Sequence, residues 1–261
     1  MEKRSSTLSF DTPFLVIAHR GDSTRAPENT LSAFRKAIEA RANMIELDVQ
    51  LTADGVLVVF HDMYLQKHSS GEGLLSDFTI EEIRKLDAGS WFSNGFKGET
   101  IPLLSEVLEL AKDRILLNIE IKPEAVTENS ETGIERRVCD TLQSFEMEEQ
   151  ALISSFDYRV LERVCKINPA LKTGLLYNRK KSGGLSPVQL VKKYRAYSFH
   201  CSRWQIRKKW INECRINRVP VYIYTVNGKR TMRSLIKKGV KGIFSDKPAQ
   251  LKEVSGVLLK R

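Results

Sequence analysis

Cysteine is scarce in this chain and widely spread. Cys139, Cys165, Cys201 and Cys214 form no CxxC pair, so neither a zinc knuckle nor a redox dithiol is indicated, and four free thiols, mostly in helices, are expected. Long apolar runs are missing too. The opening stretch MEKRSSTLSFDTPFLVIAHR has basic residues but no long apolar segment before Asp11, and FLVIA is too short for a secretion signal or a membrane span. A cytoplasmic location without a transmembrane segment is the expectation. No Gly/Pro-rich linker interrupts the 261 residues, which reads as one domain over residues 1–261 with one substantial core. No GxGxxG follows the first strand-like run, which lowers the case for an open, doubly wound nucleotide-binding sheet.

Hydrophobic residues at 41% and charged residues at 28% describe a soluble globular chain and exclude disordered and fibrous classes. The net charge of +10 collects partly in RKK at 179–181, KKYR at 192–195 and the series Arg203, Arg207, Lys208, Lys209, Arg215 and Arg218. Such charge reads first as solvated basic helices, then as substrate steering or phospholipid contact. No zinc-finger pattern or RNA-binding strand motif accompanies it, so no nucleic-acid partner is expected.

Four short pieces, AHRGDSTRAPENT, MIELDVQLTADGVLVVFHD, LLNIEIK and YTVN, place acids, two histidines, an arginine and a lysine at the ends of runs that otherwise read as buried strands. A charge inside such a run needs a metal, an opposite charge or a solvent-filled mouth. Glu46 and Asp48 alternate in MIELDVQ and so share one side of an extended backbone, with Ile45 and Leu47 on the other. Carboxylates held so close raise each other's pKa unless a cation lies between them. Glu120 and Lys122 repeat the alternation. Three carboxylates suit one hard divalent ion, Mg²⁺ or Ca²⁺ ahead of zinc, and the residues do not choose between the two.

The run FLVIA is followed by the loop HRGDSTRAPEN and a helix TLSAFRKAIEA with Leu31, Phe34 and Ile38 at helical spacing. MIELDVQ and VLVVF are strands about a turn at Asp54-Gly55. Residues 62 to about 101 break the alternation and read as a small insertion near the mouth, with one helical stretch, TIEEIRKLD, whose Thr79 and Glu82 suit a capping box. Helices LLSEVLELA, 131–145, YRVLERVCK, SPVQLVKKY, RWQIRKKWINECR and KRTMRSLIKKG then alternate with strands ILLNIEI, ALISS, LKTGLLY, AYSF, VPVYIYTV and KGIFS. About eight main strands alternating with helices predict an α/β fold, a closed (β/α)8 TIM barrel with the insertion after the second barrel strand region. The chemical residues fall at carboxyl ends of strands, which in a barrel share one mouth.

In order and spacing, HRG at 19–21, PENT at 27–30, IELDV around Glu46 and Asp48, DG at 54–55, HD at 61–62, LDAG at 86–89, IP at 101–102, EIK at 120–122, TVN at 225–227 and GVKGIFSDKP at 239–248 resemble the glycerophosphodiester phosphodiesterase family, in its cytoplasmic type. The resemblance implies a metal-dependent barrel that cleaves glycerophosphodiesters to sn-glycerol 3-phosphate and an alcohol. It implies His19 and His61 as acid and base, Glu46, Asp48 and Glu120 as ligands of Mg²⁺ or Ca²⁺, and Arg20 and Lys122 as phosphate contacts. Three positions depart from the pattern: Arg41 where glycine commonly ends the helix, Tyr224 where tryptophan is common, and Ser245 for a frequent threonine. None removes a charged catalytic candidate.

In residue chemistry, the metal with Arg20 and Lys122 neutralises the phosphodiester, neutral His19 takes a proton from the attacking oxygen, and protonated His61 gives one to the leaving alkoxide. The adjacent glycerol hydroxyl can be the attacker, giving a cyclic phosphate that water opens. Glu28 and Asn29 read as bracing the first loop and capping the helix after it. Phe156 and Tyr224, with Trp91, Phe92 and Phe96, are candidate walls of the alcohol pocket, each balanced against ordinary packing. His200, at the end of AYSF near the mouth, is a candidate ligand contact. His68 reads as structural, Asn227 as the start of the next helix, and Asp246 as a loop tie. Two other functions stay open: a lysophospholipase D acting on lysophospholipids, and a non-catalytic phosphate-ligand or nucleic-acid binding protein. The expected partner is a small glycerophosphodiester, and both monomer and homodimer fit.

Overall fold

The computed structural model describes residues 8–259. The basic residues at the start of the leader reading, residues 1–7, lie outside them. The chain runs β1 (Leu15–His19), α1 (Leu31–Glu39), β2 (Met44–Leu51), β3 (Leu57–Val59), α2 (Ile80–Ile83), α3 (Leu104–Ala111), β4 (Leu116–Ile121), α4 (Ile134–Ser144), β5 (Ala151–Ser155), α5 (Tyr158–Ile167), β6 (Lys172–Leu176), α6 (Pro187–Lys193), β7 (Ser198–Ser202), α7 (Lys208–Ile216), β8 (Val221–Tyr224), α8 (Lys229–Lys237), β9 (Gly242–Ser245) and α9 (Pro248–Leu259).

Every strand except β3 pairs in parallel with its neighbours in the order β1-β2-β4-β5-β6-β7-β8-β9, and β9 returns to β1. The result is a closed eight-stranded parallel ring with helices outside it, a (β/α)8 barrel. β3 stands outside the ring. It pairs antiparallel with Val49–Leu51, the part of β2 beyond its pairing with β1, so VLVVF supplies a hairpin arm rather than a barrel strand.

Alternation within each strand sorts the core into layers. Outward residues such as Ile45, Leu47, Leu117 and Ile119 meet Val107, Leu108, Val138 and Leu142 of the helices over the first half of the ring. Leu175, Phe199, Cys201 and Ile223 meet Leu190, Ile211, Met232 and Leu251 over the second. Inward residues Leu15, Ile17, Met44, Leu116, Leu152, Tyr222 and Phe244 form an apolar plug in the barrel interior. Each such side chain, fully buried, stabilises the fold by about 1.5–3 kcal/mol relative to exposure.

The insertion carries three single-turn 3-10 helices and α2 between β3 and α3, over its own small core of Phe60, Leu65, Leu75, Ile83 and Ile101. TIEEIRKLD is helical only over Ile80–Ile83, where the Glu82 carboxylate accepts from the Thr79 N–H and hydroxyl, at 2.8 and 2.9 Å. Arg41 follows α1 at φ +56°, the left-handed conformation in which glycine is at ease, and Asp113, Glu146, Arg195 and Arg218 repeat it after α3, α4, α6 and α7.

Other boundaries also differ from the sequence reading. AYSF is displaced: β7 spans Ser198–Ser202, and RWQI belongs to the loop before α7, which starts at Lys208. The closing helix α9 was not foreseen at all. No helix among the described residues is long and apolar enough to cross a membrane.

Candidate active site

The carboxyl ends of the barrel strands surround a cavity of about 220 Å³. His19 is the last residue of β1, Glu46 and Asp48 lie on β2, Glu120 on β4, and Lys122 just after it. Parallel register sets Asp48 beside Glu120 and His19 beside Glu46. Strand alternation turns all three carboxylates inward, where an oxygen of each comes within 4.8 Å of the others. His19, Arg20, Glu46, His61, Glu120 and Lys122 line one side of the cavity, and Phe156, Leu176, Tyr224 and Phe244 line the other. A larger cavity of about 330 Å³ at the opposite end of the barrel, between Phe10, Tyr197 and Arg218, holds none of these residues.

The first loop is bent to serve the site. Gly21 adopts φ +87°, and a Cβ there would come within 2.7 Å of Ala33, so only glycine brings the loop down onto α1. Arg20 sits at φ +55°, a conformation that costs an L-residue about 1–2 kcal/mol. In it the Arg20 N–H donates to Glu46 at 2.9 Å, Nη1 donates to Glu28 at 2.7 Å, and Nε lies 3.4 Å from Asp48. Asn29 Nδ2 donates to Asp48 at 2.9 Å while its Oδ1 accepts from the Asp48 N–H at 3.3 Å. Glu28 and Asn29 therefore brace the loop, but the cap of α1 is Thr30, whose hydroxyl accepts from the Ala33 N–H.

The carboxylates are electrostatically unequal. Burial, then Asp48 and Glu120, drive Glu46 well above its ordinary pKa. Burial and Asp48 push Glu120 up to about 7 against the pull of Lys122, whose Nζ is 3.3 Å away. Burial also works against the Asp48 anion, yet Lys122 at 3.5 Å, Arg20, His61 and the Asn29 bond hold it below the usual range. The cationic side chains present thus satisfy one of three buried acids. An oxygen-only donor set with surplus negative charge fits a hard divalent cation, and Glu46, Asp48 and Glu120 are the residues that would hold it.

The two histidines are set differently. His19 Nδ1 lies 2.7 Å from Asp246 Oδ1, leaving Nε2 as the other ring nitrogen, and the Asn227 amide bonds the second Asp246 oxygen while accepting from Ser245 Oγ and the Asp246 N–H. Asp246 and Asn227 accordingly form a clamp on His19, not merely a loop tie and a helix start; the cap of α8 is Gly228. That clamp was missed, although the rule that strand ends face the mouth applies to Asp246, one residue past β9, as well as to His19. His61 follows the hairpin arm, where Gln50 Nε2 donates to the carbonyls of Phe60 and Asp62, both at 2.9 Å. Burial first, then Arg20 and Lys122, lower the pKa of His61. Asp62, also missed, lies 3.4 Å from His61 and bonds Lys67 and His68. Glu28, His61 and Asp62 also cluster closely, but Arg20, Lys67 and His68 already engage their carboxylates.

Among the pocket candidates, Phe156 and Tyr224 stand edge to face with centroids 6.0 Å apart on the wall of the cavity. Trp91 instead packs on His68, and Phe92 on Trp91 and Phe96, away from that wall. His200 does not reach the mouth. It lies in the middle of β7, wholly buried in the barrel interior against Tyr222 and Phe244, with Nε2 bonded to Ser198 at 2.8 Å. Its ring fills the space opposite Gly174, where a Cβ would come within 2.5 Å, and burial pushes its pKa down to about 3. It is a neutral core residue below the mouth.

The profile of the glycerophosphoryl diester phosphodiesterase family matches residues 19–250. The chain is 45% identical over 238 residues to a glycerophosphodiester phosphodiesterase of Caldanaerobacter subterraneus subsp. tengcongensis, covering 91% of this chain and 96% of that one. It is 34% identical to a glycerophosphodiester phosphodiesterase of Bacillus altitudinis, covering 89% and 94%. Among solved structures it superposes with a TM-score of 0.84 and 28% identity on an Oleispira antarctica phosphodiesterase in complex with the product sn-glycerol-3-phosphate, covering 92% and 96%. The fold and the carboxylate-lined mouth thus define a barrel enzyme of the phosphodiesterase class. The chain belongs to the glycerophosphoryl diester phosphodiesterase family.

Proposed function

We propose that this protein hydrolyses glycerophosphodiesters to sn-glycerol 3-phosphate and an alcohol with the help of one divalent cation, Mg²⁺ or Ca²⁺. The observation that carries the reading is the convergence of Glu46, Asp48 and Glu120 with His19, His61, Arg20 and Lys122 around one cavity. The product bound to the Oleispira antarctica relative supports the same substrate class. The cation would supply charge to the phosphate oxygens and lower the pKa of an oxygen bound to it.

Arg20, held by Glu28 and Asp48, presents its planar fork to phosphate, and Lys122 adds a point charge. His19, fixed through Nδ1 by Asp246, keeps Nε2 to accept the proton of the attacking glycerol hydroxyl. Asp246 then stabilises the imidazolium that forms. His61, which lines the same cavity, donates a proton to the departing alkoxide. The phosphate closes into a cyclic ester, and the reverse proton transfers through the same pair admit water to open it. Proton transfer of this kind contributes about 10²–10⁴-fold.

Phe156, Leu176 and Tyr224 wall the side where the alcohol leaves. A cavity of about 220 Å³ with a charged floor favours a small polar alcohol over a lysophospholipid chain. Retention of every charged candidate speaks for catalysis rather than simple phosphate or nucleic-acid binding.

The test is release of sn-glycerol 3-phosphate from glycerophosphocholine by metal-stripped protein, with Mg²⁺ or Ca²⁺ added back and His19→Ala as control. Metal-restored release that the variant loses is the expected result. No release under any condition overturns glycerophosphocholine hydrolysis and makes lysophospholipid the next substrate.

A further inference from the structure

The mouth is not uniformly charged outside the cavity. Between Glu162 and Glu213 the sequence contains no acidic residue and thirteen Lys and Arg. Seven of these lie in the β6–α6 and β7–α7 connections and the first turn of α7: Arg179, Lys180, Lys181, Arg203, Arg207, Lys208 and Lys209, all exposed. Among the described residues only Lys181 of this set meets a carboxylate, Asp157 at 3.7 Å. The Arg203 N–H donates to the carbonyl of Tyr224 at 3.1 Å, which fixes this basic rim directly above the aromatic wall of the cavity.

In the middle of the rim Trp204 is 82% exposed, the largest exposure among the large hydrophobic residues, with the Arg203 guanidinium 4.2 Å from its ring centroid. Fold stability does not explain this placement. An indole in water forgoes its burial free energy. Lys208 and Lys209 stand in the first turn of α7, which has no side-chain cap and no acid, so the positive end of the helix dipole opposes them. α8 also opens without a side-chain cap or an acid, with Arg230 in its first turn, although Lys229 there pairs with Glu253 at 3.0 Å. Residues that are locally unfavourable in several elements yet converge on one face point to an external anionic partner.

We infer that the β6–β8 side of the mouth docks on the surface of an anionic phospholipid bilayer, with Trp204 inserted at the headgroup level and the surrounding cations on lipid phosphates. A bilayer fits better than nucleic acid because an indole ringed by Lys and Arg is the pattern of an interfacial anchor. The rim also lacks the row of aromatics on which successive bases stack. The opposite side of the mouth carries Glu124, Glu128 and Glu131 between β4 and α4, so contact is one-sided and leaves an aqueous entrance to the cavity.

Co-sedimentation of the full chain with vesicles of phosphatidylcholine alone, or mixed equally with phosphatidylglycerol, tests this. Binding is expected to the mixed vesicles only and to weaken with added salt. Each cation near the surface contributes about five-fold, so R179A/K180A/K181A should lower the partition about 10²-fold. Trp204→Ala should lower it about ten-fold, and the tryptophan emission of the parent, unlike that of Trp204→Phe, should shift to the blue on binding. These loop residues lie outside the catalytic cavity, so release of sn-glycerol 3-phosphate from glycerophosphocholine in solution should be unchanged in the variants, which separates a docking defect from misfolding. No binding to mixed vesicles, binding indifferent to the substitutions, or tighter salt-dependent binding to a single-stranded oligonucleotide than to mixed vesicles would overturn the inference.

Discussion

From β1 to β4 the strands bring His19, Glu46 and Glu120 to the cavity, with Asp48 buried beside them, whereas from β5 to β8 they bring Leu176 and Tyr224, with Phe156 one residue past β5. The backbone is the same on both sides, eight parallel strands in one ring, so the difference lies in what the inward positions demand. A buried charge is tolerable only beside others that compensate it: Arg20 and Lys122 do so for Asp48, and the surplus on Glu46 and Glu120 is left for protons or a cation. Spread evenly around the ring, the same charges would each lie stranded. Clustering leaves the second half free to act by shape inside, and to carry an unbalanced basic surface outside.

The sharpest way to break this contrast is to remove chemistry from the first half alone. His19→Ala or Glu46→Gln should lower the rate of glycerophosphocholine hydrolysis by about 10³–10⁴ with the fold intact by circular dichroism. Asp246→Asn, across the seam between β1 and β9, should cost about 10² in kcat with little change in KM, because on the proposed mechanism it removes the anion that would stabilise the His19 imidazolium.

Metal removal probes the same cluster through stability. Without a cation Glu120 keeps its proton up to about 7, and Glu46 is also raised, whereas the unfolded carboxyls titrate near 4.5. The folded state therefore binds more protons between those values, so the stability of the metal-free protein falls as pH rises through that window. Asp48, shifted the other way, acts only below its ordinary value of 3.8. A bound cation replaces the protons, and the melting temperature gained with metal should grow from about pH 5 to pH 8, reaching about 5–10 °C at saturating metal. A gain independent of pH would place the cation elsewhere.

Two smaller effects test the second half. Phe156→Ala should raise KM about ten-fold for glycerophosphocholine and leave the pH profile in place. Arg41→Gly on the first side and Arg218→Gly on the second, both at left-handed positions, should each stabilise the protein by about 1 kcal/mol in urea titration without touching the rate.

What the sequence revealed follows the same division. Charges inside apolar runs are conspicuous, so Glu46, Asp48, Glu120, His19 and His61 could be read and their common location at strand ends inferred. The barrel was legible because strand and helix periods alternate. His200 misled because AYSF and its following polar residues mimic a strand end, while the register that places it beside Tyr222 and opposite Gly174 exists only after the ring forms. Asp246 went unrecognised because its partner lies 227 positions away, beyond any local pattern. The insertion offers little periodicity, since its 3-10 turns pack over a core assembled from scattered residues.

The His19–Asp246 pair joins the first strand to the residue just beyond the last. At a synthesis rate of 5–20 residues per second the two partners leave the ribosome roughly 10–45 s apart. Throughout that interval β1 has one edge without its neighbour, and the imidazole has no carboxylate to orient it. On the proposed mechanism, a nascent chain that already holds its acidic residues would still lack an oriented base. Activity would then begin with ring closure, and the enzyme would report its own completion.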